Sequence, residues 1–199
     1  MKTLRSNKGF TLVELAIVLV IIGIILGAVL KGQELINNAK MKRAYNQYRE
    51  ILAAVYTYYD RYGKYPGDDN TASSRWSGVT DGNNNGLIDN FNIACGPNDT
   101  TESCQAWLHM RLANILTGAT TATDGTRAPS NAYGGSIGIG YTVVQGLYAM
   151  WIGFNNVPGD VCQSLDQMYD DGDYRTGSIR GDGDYTSTPN GVYDLYFRL

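Results

Sequence analysis

The chain has 199 residues, 43% of them hydrophobic, and its net charge of −3 hides an uneven distribution. The first nine residues carry three bases and no acid, whereas residues 63–199 carry seven bases against fifteen acids. Because phosphate contacts need clustered Lys and Arg, this acidic body argues against a nucleic-acid partner. The length suits one domain plus a membrane element.

An apolar stretch near the N-terminus is long enough to cross a membrane. Residues 15–30 are uncharged and mostly aliphatic, and counting from Phe10 gives 21 residues, about the 20 that span a bilayer core. The bases in front of it favour a cytoplasmic N-terminus. A cleaved secretory signal peptide is the alternative, but that class has a shorter apolar core followed by a small-residue cleavage site.

The segment continues into an amphipathic helix. Seven apolar residues recur there at alternating steps of four and three, which places them in one stripe on a helix. They are Met41, Tyr45, Tyr48, Leu52, Val55, Tyr59 and Tyr62. Residues 10–62 contain no proline, so the pattern predicts a single helix that ends before Gly63 and Pro66.

One acid, Glu14, lies near the start of the apolar stretch. A charged side chain at the centre of a membrane helix costs roughly 2.5–3.5 kcal/mol on insertion scales, so an intramembrane acid indicates a function by default. The alternative is a position near the lipid headgroups, where the charge costs little.

The sequence around Glu14 resembles a known processing signal. "KGFTLVELAIVLVIIGIILG", beginning at Lys8, is similar to the type IV prepilin signature, which type IV pilins and type II secretion pseudopilins share. The resemblance implies that a prepilin peptidase cuts between Gly9 and Phe10, removes the leader 1–9 and N-methylates Phe10. It also implies that residues 10–30 serve as membrane anchor and polymerisation segment, and that Glu14 pairs with the terminal amine of a neighbouring subunit.

The resemblance further implies an α+β pilin-like fold, in which a long N-terminal helix, residues 10–62, packs on a small antiparallel sheet of an exported globular domain, residues 63–199. The expected function is structural, not enzymatic: a type IV pilus subunit, with a pseudopilin of a type II secretion system as the alternative. A membrane-tethered binding domain that does not polymerise is a third interpretation. Many type IV pilins carry a proline about twenty residues after the cut, which this chain lacks.

Partners and location follow from the same resemblance. The expected partners are the prepilin peptidase, further copies of the chain in a helical filament, other pilins or pseudopilins, the inner-membrane assembly platform, and membrane lipid before assembly. The precursor is expected to cross the inner membrane once, with its N-terminus in the cytoplasm. The assembled subunit then belongs to an extracellular pilus or a periplasmic pseudopilus.

The body contains three local patterns. Residues 107–118 favour a short helix, residues 134–154 one or two strands, and residues 191–199 a final strand. The chain's one histidine, His109, lies inside the helical pattern and is interpreted as structural, so no catalytic triad is indicated.

Two acidic regions are candidates for calcium. "DGNNNGLID" presents Asp81, Asn83, Asn85, the Leu87 carbonyl and Asp89 at the spacing of a D-x-N-x-N-G calcium loop, although position twelve is an asparagine instead of the usual bidentate Glu. The prediction is therefore weak calcium binding, with a surface turn as the alternative. A second acidic set is interpreted as a solvated turn: Asp170, Asp171, Asp173, Asp182 and Asp184.

The three cysteines allow two pairings in an exported protein. Cys95 and Cys104 would close a short loop and leave Cys162 free or buried, while a Cys104–Cys162 bridge stays open because spacing does not fix connectivity. The local pair is the preferred prediction.

Overall fold

The computed structural model describes residues 10–199, so the predicted leader and Gly9 lie outside the described residues. The chain divides into two compact units at the boundary between Lys40 and Met41. The helices and strands form an α+β fold, as predicted. They are α1 (Leu12–Tyr62), α2 (Ala72–Arg75), α3 (Glu102–Leu112), β1 (Ile137–Val144), β2 (Leu147–Pro158), α4 (Gly159–Tyr169), β3 (Ile179–Gly181) and β4 (Val192–Arg198).

Helix α1 begins at Leu12, two residues after the predicted start, and runs without interruption to the predicted end at Tyr62. Its part in the second unit packs against the rest of that unit. Five of its residues are buried there: Ala44, Ile51, Ala54, Val55 and Tyr58. This stripe is turned slightly from the predicted one, since Tyr59 is 45% exposed. Alanines at the centre of the contact allow close approach, and the larger tyrosines lie beside it. The ring of Tyr48, for example, stacks on Phe197 of β4 at a centroid distance of 4.6 Å.

The sheet is antiparallel throughout, with the strand order β1-β2-β4-β3. Strands β1 and β2 form a hairpin whose two turn residues, Gln145 and Gly146, both have positive φ, as a tight hairpin turn requires. The predicted strand regions 134–154 and 191–199 are confirmed as this hairpin and β4. The three-residue β3 was not predicted because it is too short for a pattern. Helix α4 was also missed, although Val161, Leu165 and Met168 recur at helical spacing, a signal that the sequence analysis did not use.

Helix α3 is the buried centre of the body. It begins five residues earlier than the pattern predicted, at Glu102, and it ends at Leu112, shortly before Asn114 adopts a positive φ of 55°. Nearly all of its residues are buried, including polar and charged ones. Burial of both faces removes the apolar-polar alternation on which a sequence prediction of helix bounds depends.

His109 of α3 is fully buried and links two loops to the helix. The Gly67 backbone N–H donates to its Nδ1 at 3.1 Å, which places the ring proton on Nε2, 3.2 Å from the carbonyl oxygen of Thr80. Burial lowers the pKa of His109 to about 4. The neutral ring therefore belongs to the folded state, in agreement with a structural role.

This protonation state predicts acid sensitivity. His109 binds a proton near pH 6.5 in the unfolded chain but only near pH 4 in the folded chain. Its contribution to the free energy of unfolding is therefore complete above pH 6.5 and decreases as the pH falls towards 4. By linkage, this contribution amounts to roughly 3 kcal/mol. We expect His109→Gln, which keeps one acceptor and one donor, to lose this part of the pH dependence in chemical denaturation at pH 7.5 and 4.5. Equal pH dependence in the two proteins would contradict the assignment.

The predicted disulfide between Cys95 and Cys104 is present, with the Cα atoms 5.4 Å apart. It joins the loop before α3 to the first turn of that helix. Cys162 is free and buried, and burial raises the pKa of its thiol above the usual range. The alternative Cys104–Cys162 pairing is therefore wrong.

Closing this short loop should stabilise the body by restricting the unfolded chain. We expect the double substitution Cys95→Ser with Cys104→Ser to lower the free energy of unfolding by roughly 2–3 kcal/mol. Denaturation curves with and without dithiothreitol supply the control. The reductant should lower the free energy of unfolding of the native protein to that of the double variant and should leave that of the variant unchanged. A double variant as stable as the oxidised protein would refute the contribution.

Candidate functional site

The start of α1 is closed by a reciprocal pair of hydrogen bonds between Thr11 and Glu14. The backbone N–H and the hydroxyl of Thr11 both donate to Glu14 Oε2 at 2.8 Å, and the Glu14 N–H donates back to Thr11 Oγ1 at 3.2 Å. This is a capping box, in which a Thr and a Glu three residues later satisfy the free N–H groups of a helix end. The sequence analysis missed Thr11, although its T-x-x-E spacing was the available signal.

The capping box fixes where the Glu14 carboxylate lies. It stands at the positive end of the helix dipole, which favours negative charge. In residues 10–199, both hydrogen bonds that the Glu14 carboxylate accepts end on Oε2, which leaves Oε1 for another donor. Phe10, the predicted first residue of the mature chain, directly precedes Thr11 and is 84% exposed.

The helix behind this cap exposes apolar side chains on all sides. Leu12, Leu19 and Ile24 are each more than two thirds exposed. Among the described residues, α1 is the one helix long and apolar enough to cross a membrane; its most apolar window has a mean hydropathy of 3.0 and no buried residue. A helix that is apolar all round is stable only against lipid or other helices.

The predicted calcium loop brings three of its residues together. The side-chain amides of Asn83 and Asn85 both donate to Asp89 Oδ2, at 2.9 and 2.7 Å. Asp81 instead accepts hydrogen bonds from the backbone N–H and the hydroxyl of Ser73. In this arrangement the amides present nitrogen to Asp89, so a shared calcium ion requires both amides to rotate.

Two buried carboxylates that the sequence analysis missed hold this loop. Asp68 accepts from the backbone N–H groups of Asn85 and Gly86, each at 2.9 Å, and Glu102 accepts from those of Asn83 and Asp89, each at 2.8 Å. Burial, with the nearby charges of Asp68 and Asp89, raises the pKa of Glu102. The loop is thus rich in carboxylate and amide oxygen, the donors that calcium prefers, and calcium binding here stays a prediction.

The second acidic region contains a compact group that can hold a metal. Ligand oxygens of Asp166, Asp170 and Asp171 all lie within 4.8 Å of one another, and Asp166 is buried. Each carboxylate also accepts hydrogen bonds from the protein; Asp166, for example, accepts from the Tyr185 hydroxyl and from the Gly172 N–H. These bonds shape the turn after α4. Asp166 was not among the residues singled out from the sequence.

Comparison with known proteins identifies the N-terminal region. Residues 4–30 match the model of the prokaryotic N-terminal methylation motif, the signature of type IV pilins and pseudopilins. The match includes Thr11, Glu14 and the exposed apolar segment. No curated protein and no solved structure matches the chain.

A calcium titration can show which of the two acidic regions binds the ion. If calcium binds at residues 81–89, it should raise the melting temperature of the detergent-solubilised full chain, because a ligand that binds only the folded state stabilises it. Asp89→Asn should abolish the shift and Asp171→Asn should preserve it. Identical melting curves in calcium and in EDTA would rule out both sites, and loss of the shift in Asp171→Asn alone would move the site to the second region.

Proposed function

We propose that the protein is a structural subunit of a type IV pilus that polymerises through α1 after a prepilin peptidase has cut between Gly9 and Phe10 and methylated the new amine. The observation that carries the proposal is the Thr11–Glu14 capping box at the head of an exposed apolar helix, inside the matched motif. A pseudopilin of a type II secretion system is the second candidate, because the same motif serves both filaments.

The exposed apolar part of α1 supports assembly with the same segment of other copies of the chain. Before assembly, residues 10–30 are covered by lipid, which is as apolar as the side chains themselves. Moving them into a filament core therefore gains packing and little hydrophobic free energy. The apolar segments alone do not fix how far one subunit is displaced along its neighbour. A specific polar contact is needed for that.

Glu14 supplies this contact. A carboxylate in an apolar core is strongly disfavoured unless it is paired and hydrogen-bonded. Thr11 satisfies Oε2, while Oε1 is left for the terminal amine of a neighbouring Phe10. Such a buried ion pair need not stabilise the filament overall, but a mispaired register leaves both charges buried alone. The pair thus selects one stagger between subunits.

The body fits a structural role. His109 uses both ring nitrogens to hold loops. The disulfide and the acidic, turn-rich composition of residues 63–199 suit an exported domain and favour a pilus subunit over a minimal pseudopilin. In this proposal the precursor crosses the inner membrane once, meets the assembly platform there, and leaves as filament.

Substituting the first-turn carboxylate tests the role directly. We expect Glu14→Val to be cleaved normally yet to reduce filament yield at least about tenfold, since loss of a buried charge partner is worth more than 1.4 kcal/mol. Thr11→Val should give an intermediate loss. Glu34→Gln, an exposed acid further along α1, is the matched control and should assemble normally. Abundant filaments from cleaved Glu14→Val would contradict the proposed contact between Glu14 and a neighbour's terminal amine.

Imaging and mass spectrometry of purified filaments separate pilus from pseudopilus. Surface filaments composed mainly of chains that begin with N-methylated Phe10 would establish a major pilus subunit. Filaments found only when the secretion genes are overexpressed, or none on the cell surface, would favour the pseudopilin.

A further inference from the structure

The chain contains two Asn–Gly dipeptides, Asn85–Gly86 and Asn190–Gly191, whose surroundings differ. In such a dipeptide the backbone nitrogen of the glycine can attack the side-chain amide carbon of the asparagine, because glycine has no Cβ to hinder the approach. The attack closes an imide ring and releases ammonia, and water then opens the ring to aspartate or isoaspartate. Both asparagines are exposed, so water reaches each of them.

A buried carboxylate contacts the attacking nitrogen of the first dipeptide. The Gly86 N–H donates to Asp68 Oδ2 at 2.9 Å, and the Asn85 N–H donates to Oδ1 of the same carboxylate at 2.9 Å. Asp68 is only 2% exposed, so little water competes for it. A carboxylate in hydrogen-bond contact with an N–H group is placed to accept its proton as the nitrogen attacks.

The side-chain amide of Asn85 is held at both of its polar atoms. Its Oδ1 accepts from the Leu87 N–H at 2.9 Å, and its Nδ2 donates to Asp89 Oδ2 at 2.7 Å. Negative charge develops on Oδ1 when a nitrogen adds to the amide carbon, and the Leu87 N–H stabilises that charge as an oxyanion hole does. The bond to Asp89 fixes the rotation of the amide that keeps Oδ1 on Leu87.

The second dipeptide has different partners. The Gly191 N–H donates to the backbone carbonyl oxygen of Thr188 at 2.9 Å, and a carbonyl oxygen is a far weaker base than a carboxylate. The side-chain hydrogen bonds of this turn join Thr188 and Tyr193 to the Asp184 carbonyl oxygen and do not involve Asn190. The chain therefore carries its own reference for the reactivity of an Asn–Gly dipeptide without a neighbouring base.

We propose that Asn85–Gly86 is a self-modification site, at which the folded protein converts Asn85 to aspartate or isoaspartate without an enzyme. Asp68 takes the proton of the Gly86 N–H while that nitrogen bonds to Cγ of Asn85, and the Leu87 N–H stabilises the oxyanion. The Cγ–Nδ2 bond then breaks, and the proton held by Asp68 passes to the departing nitrogen, which leaves as ammonia. Water hydrolyses the ring.

The product differs from the starting loop in charge. Asp89 loses one of its two amide donors and keeps the bond from Asn83. Residues 81–89 then carry a new carboxylate in addition to Asp81 and Asp89, and carboxylate oxygens are ligands that calcium prefers. The modification therefore changes the charge of the predicted calcium loop as the protein ages.

Peptide mapping by mass spectrometry measures both dipeptides in one sample. Freshly purified full-length chain in detergent is incubated near neutral pH, and the amide-to-acid mass change is followed at Asn85 and Asn190. We expect Asn85 to react at least about tenfold faster, a conservative bound for general base catalysis. In urea with dithiothreitol the difference should disappear, because only the folded chain brings Asp68 to Gly86. Isoaspartate is expected among the products, since direct hydrolysis of the amide gives aspartate alone.

Substitution of the base provides the sharper test. Asp68→Asn should lower the rate at Asn85 at least about tenfold and leave the rate at Asn190 unchanged. Asp60→Asn, at an exposed acid of α1, is the control and should change neither rate. Thermal melting shows whether Asp68→Asn is folded.

The pH dependence of the native chain decides the matter if Asp68→Asn does not fold. Between about pH 6.5 and 8 the rate at Asn190 should rise with the hydroxide concentration, whereas the rate at Asn85 should change little, because Asp68 takes the place of hydroxide.

Three results would overturn the proposal. The first is a reaction at Asn85 no faster than at Asn190 in the folded chain, which would show that the hydrogen bonds protect the amide. The second is a preference for Asn85 that persists in urea, which would show that the local sequence sets the rate. The third is an undiminished rate at Asn85 in folded Asp68→Asn or, where that variant does not fold, parallel pH dependence at the two dipeptides.

Discussion

The body of this protein depends on the burial of a polar helix. Helix α3 is enclosed on nearly every side, yet many of its side chains are polar, and most of these bind the backbone of a loop. Ser103 accepts from the Asn92 N–H, Gln105 accepts from the Thr80 N–H and donates to the Asp99 carbonyl oxygen, and Glu102, His109 and Arg111 bind further loops. An unpaired backbone group inside a protein costs about as much as a lost hydrogen bond. The side chains of α3 thus supply hydrogen-bond partners to loop backbone groups that a larger sheet would otherwise pair. These bonds hold long segments that have little regular structure.

The same dependence explains where a small cavity lies between α1 and α3, lined among others by Gln47, Ile51 and Arg111. Loops satisfy the polar groups along most of α3, but at its C-terminal end the helix faces α1, which offers Gln47 and otherwise apolar or exposed side chains. Arg111 lines the cavity, and its Nη1 donates to the carbonyl oxygens of Gly125 and Arg127. The cavity thus lies where the apolar stripe of α1 meets a polar part of α3 that loops do not cover completely.

Features that depend on residues close together in the sequence could be predicted, whereas features that depend on residues far apart in the sequence were missed. The long helix, the strand regions of β1, β2 and β4, and the preference for the Cys95–Cys104 bridge depend on residues close in sequence, and local patterns predicted them, although spacing alone left the cysteine pairing open. The roles of Asp68 and Glu102 depend on contacts between residues up to 19 positions apart, through loops that no period describes. Residues 81–89 show the same limit: the spacing predicted a ligand set, whereas the fold bonds Asp81 to Ser73 and joins the other side chains to Asp89. Thr11 and helix α4 are exceptions, because their signals were local and were overlooked.

The capping box explains how the apolar N-terminal segment accommodates the charge of Glu14. An isolated carboxylate near the head of an apolar helix has two costs, its own desolvation and the free N–H groups of the first turn. Thr11 and Glu14 remove part of both, since each satisfies the other. A Glu14 side chain so held has little rotamer entropy left to lose, which favours the proposed pairing with a neighbour's amine. In the proposed function, the pair of residues, and not the glutamate alone, is therefore the element that prepares the helix for assembly.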